Sequence, residues 1–269
     1  MSLSDYHVRT FADDGLLIVH DGIKAADAAL LLERVDKLHQ DPDSTAFEGD
    51  GVTPRALHGL QSDNTIFQSL VRLPALAKSA QHLLASEVYV YQFKINLKAA
   101  FVGEGWPWHQ DYSFWSREDG MPTPRALTAA VFLDEVDEFN GPLYFIPGSH
   151  RSGCLDEPIA EEQSTPQDWR RNFSSRLPYQ TNKEHVRRLA LQSGMVAAHG
   201  RPGTVVFFDS NIVHSSPSNV SPVPRRVIFV TYNSVTNIPC RLSRPEFLVS
   251  GNATSLITLE QDTLGDLSS

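Results

Sequence analysis

The sequence predicts a mainly β protein, a β-sandwich or jelly roll with helices packed on it from the N-terminal side. Two observations carry that expectation. After Glu87 the chain falls into short runs rich in Val, Ile, Phe and Tyr, separated by Gly, Pro and Asn turns. Before Glu87, two stretches repeat apolar residues at helical spacing. No internal repeat or linker divides the 269 residues, so one domain (1–269) is expected. Residues 1–86 form a mainly helical flank in this reading, and 87–247 a jelly-roll core with an insertion at 154–201.

The elements follow in order. GLLIVHDG (15–22) reads as a short strand ending in a turn. AADAALLLERVDKLHQ (25–40) combines strong helix formers with apolar residues at helical spacing. DPDSTAFEGDGVTPR (41–55), rich in Asp, Gly and Pro, reads as loop. SLVRLPALAKSAQHLLAS (69–86) is a second helical region with Pro74 near a helix start, where its fixed φ and missing N–H are tolerated. VYVYQFKINLKAAF, LTAAVFLDEV, LYFIPGS, TVVFFDS and RRVIFVTYNSV then read as strands. The polar stretch 154–201 is too long for a simple connection and is expected to be a lid or helical excursion.

Composition narrows the partners. A hydrophobic share of 41% with 20% charged residues fits a soluble globular protein. The net charge of −9 disfavours nucleic acid or an anionic membrane, since both are bound through excess Lys and Arg. Cys154 and Cys240 form no CxxC pair and read as reduced thiols. MSLSDYHVRTFADDG lacks the apolar core of a signal peptide, and no stretch reaches the ~18 apolar residues of a membrane span. A cytoplasmic monomer or homodimer is expected.

WPWHQDYSFW (106–115) sets a histidine and an aspartate among aromatic residues, although an ionised carboxylate away from water needs a partner. Read as part of a strand, His109 and Asp111 fall on one face, where two ligands could hold a divalent metal. The third ligand must come from elsewhere. Of the ten histidines, His214 stands out: it follows the apolar run TVVFFDSNIV and precedes the turn SSPSN. Arg225 follows, opening another strand, and the order His-x-Asp…His…Arg matches the 2-His-1-carboxylate sites of non-haem iron oxygenases. A guanidinium can grip a dicarboxylate cosubstrate bidentately. Arg226 competes for that role, but the two arginines face opposite sides of the strand and only one can reach the lumen. His150, in PGSHRSG, reads as a turn residue. The bland alternative for His109 and Asp111 is a buried histidine–carboxylate hydrogen bond.

One strand carries a polar face: Gln92, Lys94, Asn96 and Lys98 alternate with Phe93, Ile95 and Leu97. Either that face is solvated, or it points into a barrel lumen and grips a polar ligand.

Together PWHQDYSFWSREDGMP, NGPLYFIPGSH and FFDSNIVHSSPSN resemble the phytanoyl-CoA dioxygenase superfamily of Fe(II)/2-oxoglutarate-dependent oxygenases. VYVYQFKIN and VTYN add similarity to the bacterial hydroxylases of free L-proline and the related ectoine hydroxylases, over about residues 50–247. The resemblance implies a double-stranded β-helix, the cupin-like jelly roll, with flanking helices. It implies Fe(II) ligation by His109, Asp111 and His214. It also implies 2-oxoglutarate binding by Arg225 and Ser216, with Asn96 and Gln92 nearby, and O2 as the second cosubstrate. Trp115, Phe208 and Phe229 match aromatic positions around the substrate. Lys94 stands where ectoine hydroxylases tend to carry Arg, which favours a free amino acid, L-proline first, and offers a cation for its carboxylate. The insertion 154–201 matches the family poorly.

The expected activity is hydroxylation of an unactivated C–H of a free small amino acid, coupled to conversion of 2-oxoglutarate to succinate and CO2. Ectoine, pipecolate or a natural-product intermediate are alternative substrates. A halogenase is disfavoured because Asp111 is a carboxylate, and an acyl-CoA substrate because the chain is acidic. A different class remains open: a non-catalytic jelly-roll module that binds a metal or small ligand. In a third, structural reading the His/Asp pair only hydrogen-bonds.

Overall fold

The computed structural model describes residues 3–159, 169–241 and 244–265. The N-terminal region folds into helices α1 (Asp5–Asp14), α2 (Ala25–Asp36), α3 (Leu60–Asp63), α4 (Thr65–Leu70) and α5 (Pro74–Leu84). It also supplies three strands, β1 (Leu16–Val19), β2 (Thr45–Phe47) and β3 (Pro54–His58). β2 and β3 lie in or run out of the stretch that reads as loop, because strands this short between Asp and Gly leave little alternation to see. Of the two helical stretches, the first ends at Asp36 and the second splits, α5 restarting with Pro74 in its first turn.

The remaining chain forms β4 (Val88–Lys98), β5 (Trp106–His109), α6 (Asp111–Phe114), β6 (Ala126–Phe132) and β7 (Leu143–Phe145). β8 (Asp156–Pro158), β9 (Tyr179–Thr181), α7 (Lys183–Ser193), β10 (Val196–Ala198), β11 (Val205–Asp209), β12 (His214–Ser216) and β13 (Arg225–Ser234) follow. Two antiparallel sheets face each other, one ordered β1-β11-β6-β13-β4-β3-β2 and the other β10-β7-β12-β5. β8 and β9 make a separate ribbon. The stretch 154–201 is therefore not wholly an excursion: its last strand, β10, pairs with β7 inside the smaller sheet.

Strand alternation sorts the core into layers. On the larger sheet Phe93, Ile95, Leu127, Ala129, Val131, Phe207, Ile228 and Val230 face the helices, packing with Leu31, Phe67 and Leu76. Their neighbours Phe132, Phe208 and Phe229 face the smaller sheet, where Phe145 meets them. α7 covers the outer face of the smaller sheet through Leu189, packed with Ile146 and Val213.

Two register shifts turn extra side chains inward. Gln92 pairs with Thr231 but Val90 with Tyr232, so β4 carries one extra residue, Tyr91. Tyr89 and Tyr91 thereby join the aromatic cluster at the lumen mouth, beside Gln92. On β5, His109 pairs with His214 and Trp106 with Ser216, again one residue extra, so Trp106 and His109 share the lumen. No described helix is long and apolar enough to cross a membrane.

Leu76 is fully buried where α5 docks on the sheet, far from the lumen residues. Leu76→Ala is expected to lower the unfolding free energy by ~2–5 kcal/mol, measured by urea titration. Enzymatic turnover by the surviving folded fraction should be unchanged.

Candidate active site

The lumen between the sheets holds a narrow pocket with a cavity volume of about 50 Å³. β12 and β5 lie side by side in the smaller sheet and deliver His214 and His109 as register partners, their ring centroids 4.2 Å apart. Asp111 departs from the strand reading. β5 ends at His109, and Asp111 is the first residue of α6, so a helical turn rather than strand alternation brings the carboxylate back to the histidines. His109 Nε2 lies 3.8 Å from Asp111 Oδ1. One ligand atom from each of His109, Asp111 and His214 lies within 4.8 Å of the others, and all three residues are buried.

Both rings are oriented for ligation. His109 Nδ1 donates to Pro107 O at 2.7 Å, and His214 Nδ1 to Ile212 O at 3.0 Å. A carbonyl can only accept, so each Nδ1 carries the proton and each Nε2 offers its lone pair. Burial, helped by His214, pushes the His109 imidazole down to about 3, so it stays neutral and ready to ligate. Burial alone would raise the Asp111 carboxyl. Lys94 and the two imidazoles outweigh burial and hold it below its ordinary value. Two nitrogens and one carboxylate converging in a buried cleft make a donor set suited to non-haem iron.

The polar face of β4 points into the lumen, not to solvent: Gln92, Lys94 and Asn96 line the pocket. Lys94 Nζ lies between two rings, 5.6 Å from the Phe173 centroid and 5.5 Å from that of Phe229. Burial depresses its ammonium, Asp111 opposes that, and Arg244 adds to it. Arg225 also lines the pocket, buried, with Nε and Nη1 lacking any partner. Burial lowers its guanidinium to about 10, against the pull of Asp134. Arg226 faces the other way and pairs with Asp134 (Nη2–Oδ1 2.7 Å) and Asp36. Ser216 donates to Gly141 O at 2.9 Å, and the Asn96 Oδ1 is unpartnered.

Register sets the order along the lumen. Arg225 pairs with Lys98, Val227 with Asn96, Phe229 with Lys94 and Thr231 with Gln92. At ~3.4 Å per residue, Gln92 stands about 20 Å along the strand from the Arg225 rung. Lys98 sits instead at the Arg225 end, its Nζ donating to Pro217 O. Burial, with Arg225 and Arg55 close by, pushes its ammonium down to about 6. Phe208 packs against His214 with centroids 5.1 Å apart. Trp115, in a π-helical turn (Trp115–Asp119), lines the pocket edge-on to Tyr91. His150 lies in a 3₁₀ turn away from the cluster.

Trp106 and Phe114, from the aromatic stretch around His109, line the pocket, and so do Asn172, Phe173, Leu177 and Arg244, which the sequence reading does not name. Arg244 follows the last strand in an irregular segment, where no periodicity marks it. Asp119 holds it through a bond to Nε at 2.8 Å and a second to Nη2, and also accepts from Tyr91 Oη. Its partner lies 125 residues away, so no local pattern reveals the pair.

This geometry defines a jelly roll with a 2-His-1-carboxylate site, the class to which non-haem iron oxygenases belong. The phytanoyl-CoA dioxygenase (PhyH) family model matches residues 11–227, and the chain belongs to that family. The L-proline trans-4-hydroxylase of Streptomyces griseoviridis is 41% identical over 264 residues, covering 97% of this chain and 98% of that protein. The ectoine dioxygenase of Bordetella bronchiseptica is 36% identical, over 88% of this chain and 77% of its own. Among solved structures, EctD from S. alaskensis with 2-oxoglutarate and 5-hydroxyectoine superposes with a TM-score of 0.81 at 30% identity. That match covers 97% of this chain and 89% of the other, and the same protein with bound Fe matches equally well.

The unfolded chain protonates the His109 imidazole near pH ~6.5, while the folded, metal-free protein resists until about 3. Below the higher value the unfolded state binds more protons, so stability is lost as pH falls through this window. Urea unfolding of metal-free protein from about pH 7 to 4 is expected to show a steeper loss in wild type than in His109→Gln. Parallel curves would contradict the assignment.

Proposed function

We propose that the protein is an Fe(II)/2-oxoglutarate-dependent dioxygenase that hydroxylates an unactivated C–H of a free small amino acid, L-proline first. The observation that carries this reading is the buried His109/Asp111/His214 cluster with the unpaired guanidinium of Arg225 in the same lumen. His109, Asp111 and His214 would hold the iron. When bound, iron with 2-oxoglutarate and O2 supplies the oxidising power, decarboxylating the cosubstrate to succinate and CO2 while one oxygen atom enters the C–H bond.

Arg225 binds the distal carboxylate of 2-oxoglutarate through Nε and Nη1, with Ser216 and Lys98 at the same end, held by Gly141 O and Pro217 O. Asn96 lies one rung nearer the mouth and borders the same molecule. The substrate occupies the mouth half of the pocket, where Gln92, Lys94, Trp115, Phe173 and Arg244 converge. Lys94 and Arg244 are the two cations available to its carboxylate. Asp119 accepts from Arg244 Nε and Nη2 and so fixes the orientation of the guanidinium at the pocket wall. Trp115, Phe114, Phe208 and Phe229 wall the reacting centre and exclude water, so oxidising power is directed to the bound C–H.

The similarity to the S. griseoviridis enzyme over nearly the full length of both chains supports L-proline as the substrate. Ectoine is the runner-up on the strength of the Bordetella relative. Free, exposed thiols at Cys154 and Cys240 fit a cytoplasmic enzyme, working as a monomer or homodimer on a small molecule rather than on nucleic acid or a membrane.

The test is incubation with Fe(II), ascorbate, 2-oxoglutarate and a panel containing L-proline, L-pipecolate and ectoine, following succinate and substrate mass together. L-Proline should gain one oxygen with matching succinate, and Asp111→Ala should lose both. Oxygen on ectoine alone would transfer the assignment to the runner-up. No succinate from iron-loaded protein with any substrate would sink the enzyme reading and leave a ligand-binding module. Arg225→Gln is expected to raise KM for 2-oxoglutarate ~10–100-fold, the worth of a charge-assisted hydrogen bond. Arg226→Gln should leave that KM unchanged and lower the melting temperature.

A further inference from the structure

The ribbon β8–β9, from the stretch 154–201, touches the metal-ligand segment through one buried carboxylate. Gln110 stands between His109 and Asp111 and is the N-cap of α6, yet its side chain makes no cap hydrogen bond. That side chain is turned away instead. Gln110 Nε2 donates to Gly153 O at 2.9 Å and Asn211 O at 2.6 Å, and Oε1 accepts from Leu155 N at 2.6 Å. Ser210 O caps the helical N–H of Tyr112, and Asp156 of β8 takes the N–H of Gln110 itself. Its Oδ2 accepts from Gln110 N at 2.8 Å and lies 2.7 Å from the Ser113 hydroxyl. In a capping box the side chain at the third helical position reaches back to the N-cap N–H. Ser113 holds that position here, and Asp156 bridges from it to the N-cap from outside the helix.

Asp156 is itself fixed from the other side. Thr181, its register partner on β9, donates to Oδ1. Tyr179, two residues before Thr181, packs edge-on against Phe114 at the end of α6 with centroids 5.1 Å apart. The ribbon thus holds both ends of the four-residue helix that begins with Asp111. Among the described residues the carboxylate meets neutral donors, Gln110 N, Ser113 and Thr181, and burial raises its acid while those hydrogen bonds oppose the rise.

We propose that Asp156 is a positioning residue for the metal centre: by holding Gln110 and Ser113 it sets the direction from which Asp111 enters the lumen. The proposal rests on the reading of Asp111 as an iron ligand. It gives the insertion a task beyond covering the pocket, since iron affinity then depends on the seating of the β8–β9 ribbon.

The experiment is anaerobic calorimetric titration of Fe(II) into the folded metal-free protein, with the ratio of succinate to hydroxylated product as a second readout. Asp156→Ala should weaken Fe(II) binding ~10–100-fold, the usual effect of losing a group that orients a ligand. It should also form succinate in excess of product. Asp156→Asn, which keeps one acceptor oxygen, should recover part of both. If Asp156→Ala does not fold, Thr181→Val, which keeps the carboxylate but removes one of its anchors, should still weaken Fe(II) binding severalfold. Wild-type affinity and coupling in a folded Asp156→Ala protein, with only thermal stability reduced, would overturn the proposal. So would wild-type affinity in Thr181→Val where the alanine variant does not fold. Asp111→Ala separates the two layers: it should show no saturable Fe(II) binding, and wild-type binding there would remove the metal reading itself.

Discussion

The structure turns on a dry lumen that must hold charge. Ionised groups taken from water are costly unless each meets a partner or a ligand. Asp111 meets Lys94, His109 and His214, Arg244 meets Asp119, and Arg55 meets Glu48 in a buried pair 2.5 Å apart. Arg225 is the exception, with two unpartnered nitrogens. A buried guanidinium in that condition costs stability until an acceptor reaches it.

Holding those groups in one place is the work of the sheets. Strict alternation would send every second side chain to the helix side, and it does so for Phe93, Ile95, Ile228 and Val230. The two bulges break that rule where the pocket needs more inward residues than a regular ladder provides. Trp106 then shares the lumen with His109, and Arg55 stacks on its ring 4.0 Å from the centroid while donating to Gly105 O at 2.7 Å. β3, from the N-terminal flank, therefore helps to fix the strand that carries a metal ligand.

The relatives and the geometry describe different ends of one pocket. The Arg225 end is built from β4 and β13, where Arg225 pairs with Lys98 and Val227 with Asn96. The mouth is assembled from distant pieces: Trp115 from the π-helical turn, Phe173 and Asn172 from the insertion, and Arg244 from the segment after the last strand. Asn172 Nδ2 donates to Glu118 at 2.6 Å, and Arg244 approaches the same carboxylate at 3.8 Å, so insertion, turn and C-terminal segment meet there. Differences in substrate within such a family can arise at the mouth without disturbing the cosubstrate end.

The sequence by itself determined the mainly β class, the helices at Ala25 and Pro74, and the strand carrying Gln92, Lys94 and Asn96, because periodicity and turn residues act over a few neighbours. It also singled out His109, Asp111 and His214, which the fold brings together, and Arg225, which lines the same pocket. Tertiary structure alone decided the rest. It chose Arg225 over Arg226 for the lumen, turned the polar face of β4 inward, and replaced strand alternation with a helical turn at Asp111. It placed β10 in the smaller sheet and brought Arg244 to Asp119 and Asp156 to Gln110. Each of these depends on contacts between residues dozens to more than a hundred positions apart. Burial and pairing across such distances are properties of the packed sheets, not of any local stretch of chain.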